Sequence, residues 1–180
     1  ETVLDLDALN AAENRGGKDK PNFVWHGASC LPPAYRQCLL TLSPGGSDTD
    51  QTREFDLDSK SFVKDGFFRP DAKGLLGWHD ADSVFVSTDF GSGSMTTSGY
   101  ARIVKLWRRG TPMSAATTLF ESDKKDLGVA GFRDHAPGFE RDAAPYFAAS
   151  FLFPEWASLD PYREAQADVA LLNAGIRSRP

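Results

Sequence analysis

Within fourteen residues, the stretch WHGASCLPPAYRQC holds His26, Cys30 and Cys38, a density of reactive side chains that suggests a nucleophile or a metal site. A Cys30–His26 thiolate pair would need a helix, because residues four apart share a face only there. Pro32 and Pro33 follow directly, and the segment begins as a strand, in which positions four apart are separated by roughly 13 Å. Cys38 alternates with apolar neighbours in RQCLLTL, where a free cysteine behaves as a small buried apolar residue. Packing is therefore the expected role of both cysteines, and a Cys30–Cys38 bridge across the double proline is the alternative left open. A cysteine hydrolase built on Cys30 and His26 would lack both the helix and the third, orienting group.

Other chemistries fail on spacing. Zinc takes about four ligands in closely spaced pairs, whereas His26, His79 and His135 each stand more than fifty residues from the next. His26 and His79 each follow a tryptophan, and the expected role of both is structural, at a strand end. A serine nucleophile elbow reads G-x-S-x-G, and the nearest match, GSGSM, has Met95 in the last place. The same glycines complete no phosphate loop. Asp80, Asp82 and Asp89 lack the glycine and closing glutamate of a calcium loop, so they read as turn formers. The chain is expected to carry no catalytic residue, no metal and no cofactor.

Composition narrows the partners. The 180 residues carry a net charge of −5, against a phosphate-bound partner, so no nucleic acid is expected; the one basic cluster, KLWRRG, alternates like a solvated strand face. No apolar run approaches the roughly 20 residues of a membrane span, and ETVLDLDALN has no basic segment leading into an apolar one, so no membrane is expected. Two cysteines agree with a reducing, cytoplasmic compartment, the periplasm being the alternative.

The elements that must position these residues read as strands: RQCLLTL, QTREFDL, DSVFVST, ARIVKLW and TTLFE, separated by turn formers. In ARIVKLWRR the alternation puts Ile103, Lys105 and Trp107 on one side. The strands also repeat, since each of two series opens on a Trp-His strand, continues with an apolar and an alternating strand, and closes on a short one. Trp25 and Trp78 stand 53 residues apart. Four-strand units at a spacing of about 50 residues are the mark of a β-propeller. The expectation is an all-β chain, with a partial β-propeller over residues 1–150 in units of about 22–66 and 72–122, comprising two to three four-stranded antiparallel blades. Residues 151–180 form a tail with a helix, opening near Pro161, ending at Gly175, and placing Ala165, Val169 and Leu172 on one face.

HDADS reads as a tight turn within the second unit. The longer DFGSGSMTTSGY cannot build a core and must lie on a surface. Its Asp89, Ser94, Thr96, Thr97 and Tyr100 are the candidate contacts for a substrate or a neighbouring domain.

WHGASCLPPAYRQCLLTLSPGGSD, REFDL, FVKDGFF and STDFGSGSMTTSGYARIVKLWRRGTP together resemble the N-terminal propeller of bacterial members of the prolyl oligopeptidase family, from Glu1 to about Arg141. Beyond Arg141 the tail no longer follows the family. The resemblance implies a seven-bladed propeller that caps an α/β-hydrolase domain and admits short proline-containing peptides to a Ser-Asp-His site. A chain of this length holds two blades and part of a third, so it is expected to gate and position oligopeptides for a hydrolase domain outside it. On that reading it belongs to a serine-type prolyl endopeptidase and is inactive alone. Open sheet edges would favour self-association. The rival reading is a free-standing β module that binds a ligand or protein through DFGSGSMTTSGY.

Overall fold

The structure is a computed structural model that describes residues 2–136, 140–147 and 155–158. It divides into two compact units, Glu1–Lys73 and Gly74–Pro180. The helix expected between Pro161 and Gly175 lies outside the described residues.

In the first unit, strands β1 (Phe23–Cys30), β2 (Gln37–Pro44), β3 (Asp50–Asp56) and β4 (Ser61–Phe62) follow one another as an antiparallel meander, and β5 (Phe68–Ala72) also pairs with β3. The turn after β2 places Gly45 at φ 64° and Gly46 at φ 77°. The Ser47 amide donates to the Pro44 carbonyl. Two successive positive φ values match the strand twist, and glycine adopts them without steric cost. Cys38, Leu40 and Phe55 form the unit's apolar core, with Leu4, Cys30, Leu57 and Phe62 packed against them.

The preference for two packed, unbonded cysteines is corrected here. Cys30 and Cys38 are register partners across β1 and β2 and are joined by a disulfide. Opposed positions of an antiparallel pair bring their side chains within bonding reach, which the alternation of RQCLLTL does not reveal. Cys38 is still buried, at 1% exposure, so the sulfur both packs and bonds. The bridge removes Cys30 as a nucleophile. It also removes the free thiols from which a reducing compartment was argued.

A helix that strand-centred reading overlooks, α1 (Leu6–Ala12), precedes β1. Asp5 caps it by accepting the Ala8 amide at 3.0 Å. The buried Asn10 side chain accepts the Phe23 amide at 2.7 Å and donates to the Phe23 carbonyl at 3.2 Å, so it pairs with the outer edge of β1 as a neighbouring strand would. Glu13 receives both guanidinium nitrogens of Arg53, at 2.6 and 3.2 Å, which holds its carboxyl below the usual range.

Arg69 has no exposed surface. It donates to the carbonyls of Asp50, Pro70 and Ala72 at 2.8, 3.1 and 3.0 Å, to Thr52 Oγ1 at 3.2 Å, and to the Asp50 carboxylate. Burial lowers its basicity, and Asp50 opposes that loss.

In the second unit, β6 (Leu75–Asp80), β7 (Ser83–Ser87), β8 (Ile103–Arg108) and β9 (Thr117–Glu121) form another four-stranded antiparallel meander. HDADS is the expected tight turn, in which the Asp82 amide donates to Asp80 Oδ1 at 2.8 Å. All five residues of β7 are buried. Along β8 the expected alternation breaks. Val104 and Trp107, three apart, are the buried pair, because the pairing with β9 shifts between Val104 and Lys105. A third sheet pairs β12 (Arg141–Phe147) with β10 (Gly128–Val129), β11 (Phe132–Asp134) and β13 (Glu155–Ser158). Val129 joins Phe85 and Val104 in the core of this unit. Gly131 permits the approach, since a Cβ there would lie 2.6 Å from Val104 Cγ1 and 2.8 Å from Phe85 Cβ.

The architecture is all-β, built of partial propeller blades, and the repeat extends to a detail of the backbone. Strand pairing shifts between Trp25 and Gly27 in the first sheet and between Trp78 and Asp80 in the second, so His26 and His79 are each the residue passed over at a β-bulge.

Asp50→Ala leaves the Arg69 charge buried and unpaired, and is expected to cost about 3–5 kcal/mol in urea unfolding. Replacing both residues with apolar ones of similar volume should recover most of that loss. A single Asp50→Ala cost below about 1 kcal/mol would show that the pair is not what holds β3 and β5 together.

Candidate functional site

The connection from β7 to β8 is organised by its own side chains. Ser94, at 3% exposure, donates to Gly91 O at 2.6 Å and to Asp89 Oδ1 at 3.0 Å, and its hydroxyl accepts the Phe90 amide at 2.8 Å. Asp89 also accepts the Gly91 amide at 2.8 Å. Thr96, at 6% exposure, accepts the Tyr100 amide and donates to Leu127 O, both at 3.2 Å. The Thr97 amide donates to Lys124 O at 2.8 Å. Arg102 donates to Gly93 O and Ser122 O, each at 2.9 Å. The loop is thereby fastened to the segment after β9, and the two form one platform.

Of the five candidates, Ser94 and Thr96 are buried pins that shape this platform. Asp89, Thr97 and Tyr100 remain on its surface, with Tyr100 at 43% exposure. Lys105 Nζ lies 4.2 Å from the Phe90 ring centroid, a cation–π contact at the foot of the loop. An aromatic ring, a hydroxyl and a carboxylate on a rigid loop can hold a peptide or the surface of a neighbouring domain.

The bulge histidines reach carboxylates. His26 Nδ1 lies 3.0 Å from Asp50 Oδ2, the carboxylate that Arg69 holds. His79 Nδ1 lies 2.8 Å from both Asp80 Oδ2 and Ser83 Oγ, and its Nε2 lies 3.2 Å from Asp142 Oδ2. These partners were not foreseen from the sequence. The signal available was the twice-repeated Trp-His, which marks the bulge but not the acid.

Ser83, His79 and Asp142 have the connectivity of a hydrolytic triad. Ser83 is only 3% exposed, however, and its hydroxyl donates to Asp80 Oδ1 at 2.9 Å. A nucleophile needs access to substrate and a base free to take its proton; Ser83 has neither. Among the described residues, no three acids, histidines or cysteines converge to hold a metal ion. No helix there is long and apolar enough to cross a membrane.

Two successive antiparallel meanders of four strands, each opening on a bulged Trp-His strand, are built as blades of a β-propeller. Residues 2–135 match the model of the prolyl oligopeptidase N-terminal β-propeller domain. The chain belongs to the prolyl oligopeptidase family, in that domain. It is 40% identical over 128 residues to an uncharacterized peptidase, y4nA, of Sinorhizobium fredii, covering 71% of this chain and 17% of that protein. It is 28% identical over 138 residues to an uncharacterized peptidase, RP174, of Rickettsia prowazekii, covering 72% of this chain and 18% of that protein. The chain thus spans less than a fifth of the curated relatives it matches. Among solved structures, a post-proline cleaving enzyme from Rickettsia typhi superposes with a TM-score of 0.70 at 20% identity, over 88% of this chain and 25% of that one. Oligopeptidase B from Leishmania major superposes with a TM-score of 0.60 at 12% identity, over 92% of this chain and 21% of that one. At such identities these two similarities establish the fold alone.

Ser94→Ala is expected to cost about 1–3 kcal/mol in denaturant unfolding, because it strands the Phe90 amide and loosens Asp89. Thr97→Ala, at the surface of the same loop, should stay within about 0.5 kcal/mol. Equal effects of the two would show that the loop is not pinned from within.

Proposed function

We propose that this chain is the non-catalytic propeller portion of a prolyl-oligopeptidase-like serine peptidase, where it gates and positions short proline-containing peptides for an α/β-hydrolase domain outside it. The observation that carries the reading is the family match over residues 2–135, joined to consecutive blade-like sheets. Its reactive residue types support the same division of labour. Cys30 is bonded to Cys38, Ser83 is buried, and His26 and His79 are engaged by aspartates. Asp89, Thr97 and Tyr100 supply the surface that meets a peptide or the hydrolase domain. Chemistry at a carbonyl requires nucleophile, base and oxyanion donors together, and the described residues supply no such set.

The purified chain is therefore expected to leave a chromogenic proline peptide intact. Turnover that a serine-reactive inhibitor abolishes would overturn the proposal.

We further propose that copies of the isolated chain associate. In the first sheet β1 is an end strand, and Asn10 covers its edge at Phe23. In the second, β9 is an end strand. Uncovered strand edges recruit other chains. Light scattering should give a mass above that of one chain; a monodisperse monomer would count against open edges.

A further inference from the structure

We propose that His79 is a protonation-operated latch that fastens the third sheet to the second. The ring sits at a junction of three strands. From its own turn, Asp80 Oδ2 faces Nδ1 at 2.8 Å. From β7, Ser83 Oγ faces the same nitrogen at 2.8 Å, and the Phe85 ring meets the imidazole edge-on at 5.4 Å between centroids. From β12, Asp142 Oδ2 faces Nε2 at 3.2 Å. From β11, Arg133 Nη1 lies 3.2 Å from Nε2 and 3.1 Å from Asp142 Oδ1. The remaining charged pair at that end of the third sheet, Asp134 opposite Arg141, stands in the ladder itself, and Asp134 accepts the Ala136 amide.

Two hydrogen-bond patterns fit these positions. With both ring nitrogens protonated, Nδ1–H donates to Asp80 and Nε2–H donates to Asp142, so a cation bridges the second sheet to β12. With the ring neutral and its proton kept on Nδ1 for Asp80, Nε2 becomes an acceptor. Asp142 Oδ2 then faces a lone pair at 3.2 Å, while Arg133 Nη1, which carries two N–H, donates one to the ring and one to Asp142 Oδ1. The charged pattern gives both carboxylates a donor, at the cost of setting Arg133 Nη1 3.2 Å from Nε2–H, whereas in either neutral tautomer one carboxylate, Asp142 or Asp80, is left facing a ring lone pair. The side chains are 23% exposed for His79 and 12% for Asp142, so solvent screens the pair only in part.

The linkage has a definite sign. Asp142 first, then Asp80, raise the histidine above its ordinary value, against the opposing effect of burial. A group with a raised folded pKa gives its full stabilisation below the unfolded value and loses it as pH rises through the folded one. The latch is therefore closed in mild acid and released above the histidine's folded midpoint. The apolar packing between these sheets, Val129 and Gly131 against Phe85 and Val104, contains no titrating group and persists.

The test is an NMR titration of the His79 ring in the whole 180-residue chain, combined with amide exchange corrected for its intrinsic pH dependence. The ring is expected to titrate above the ordinary histidine range. Amides 132–134 and 141–143 should exchange several-fold faster above that midpoint than below it, while amides 84–86 and 104–106 stay level. Asp142→Asn should lower the His79 midpoint and remove the step. Where that variant fails to fold, His79→Gln, which keeps hydrogen-bonding capacity without titrating, should give a flat profile. The proposal falls if the ring titrates at or below its ordinary value, if all four segments follow one pH profile, or if the step survives in a folded variant. Should neither variant fold, the wild-type titration and exchange decide it alone.

Discussion

Burying a full positive charge is the constraint on which the first unit is built. A guanidinium without exposed surface is tolerated only when acceptors meet it, and three backbone carbonyls, a hydroxyl and the Asp50 carboxylate all converge on Arg69. That demand shapes the backbone. The pairing of β5 with β3 shifts between Asp50 and Thr52, where the Arg69 fork lies among the carbonyls that a regular ladder would have paired. The same carboxylate then has an oxygen left for His26, 3.0 Å away, so the buried charge orients the histidine at the β1 bulge. Arginine suits this role because its planar fork stays charged and satisfies several acceptors at once.

The second unit meets the same local problem differently. A bulge again turns a histidine out of register after a tryptophan, but Asp80, beside it in the chain, takes Nδ1, and Nε2 is left to reach beyond its own sheet. It reaches β12 because small residues allow close approach there: a Cβ on Gly77 would lie 2.8 Å from the Gly131 carbonyl. Equivalent positions in a repeat share backbone geometry, and the identity of the acid is set by whatever the local chain brings near. The first histidine is thus part of a network within one sheet. The second joins two sheets.

The sequence revealed most where period and turn chemistry agree. Alternating apolar strands, the HDADS turn and the Trp-His repeat pointed to four-stranded units, and each unit has a four-stranded meander. What escaped was set by pairing between distant segments. A hairpin placing Cys30 opposite Cys38 cannot be distinguished by composition from two packed cysteines. The Arg69–Asp50 pair joins residues 19 apart that no periodic pattern connects. Helix α1 stands outside the period-two pattern of the strands, and its signal in LDALNAA is the ordinary cap, Asp5, before it. In the loop, the residue types indicated a surface, but polarity alone could not separate the buried hydroxyls of Ser94 and Thr96 from the exposed Thr97.

A cluster of reactive residue types is therefore weak evidence for chemistry unless a proton, a lone pair or an open face is left over. In WHGASCLPPAYRQC the two sulfurs bond each other and the imidazole turns to Asp50. Around Ser83 the triad connectivity is present, but its hydroxyl proton is engaged by Asp80 and its oxygen is buried. Each group is held by a neighbour that stabilises a sheet. What the fold leaves outward on the β7–β8 platform is an aromatic ring, a hydroxyl and a carboxylate, kept in place by side chains turned inward. On the proposed reading, such a surface would recognise and position. A loop already pinned by Ser94, Thr96 and Arg102 would then lose little further freedom when a neighbouring domain or a peptide meets it.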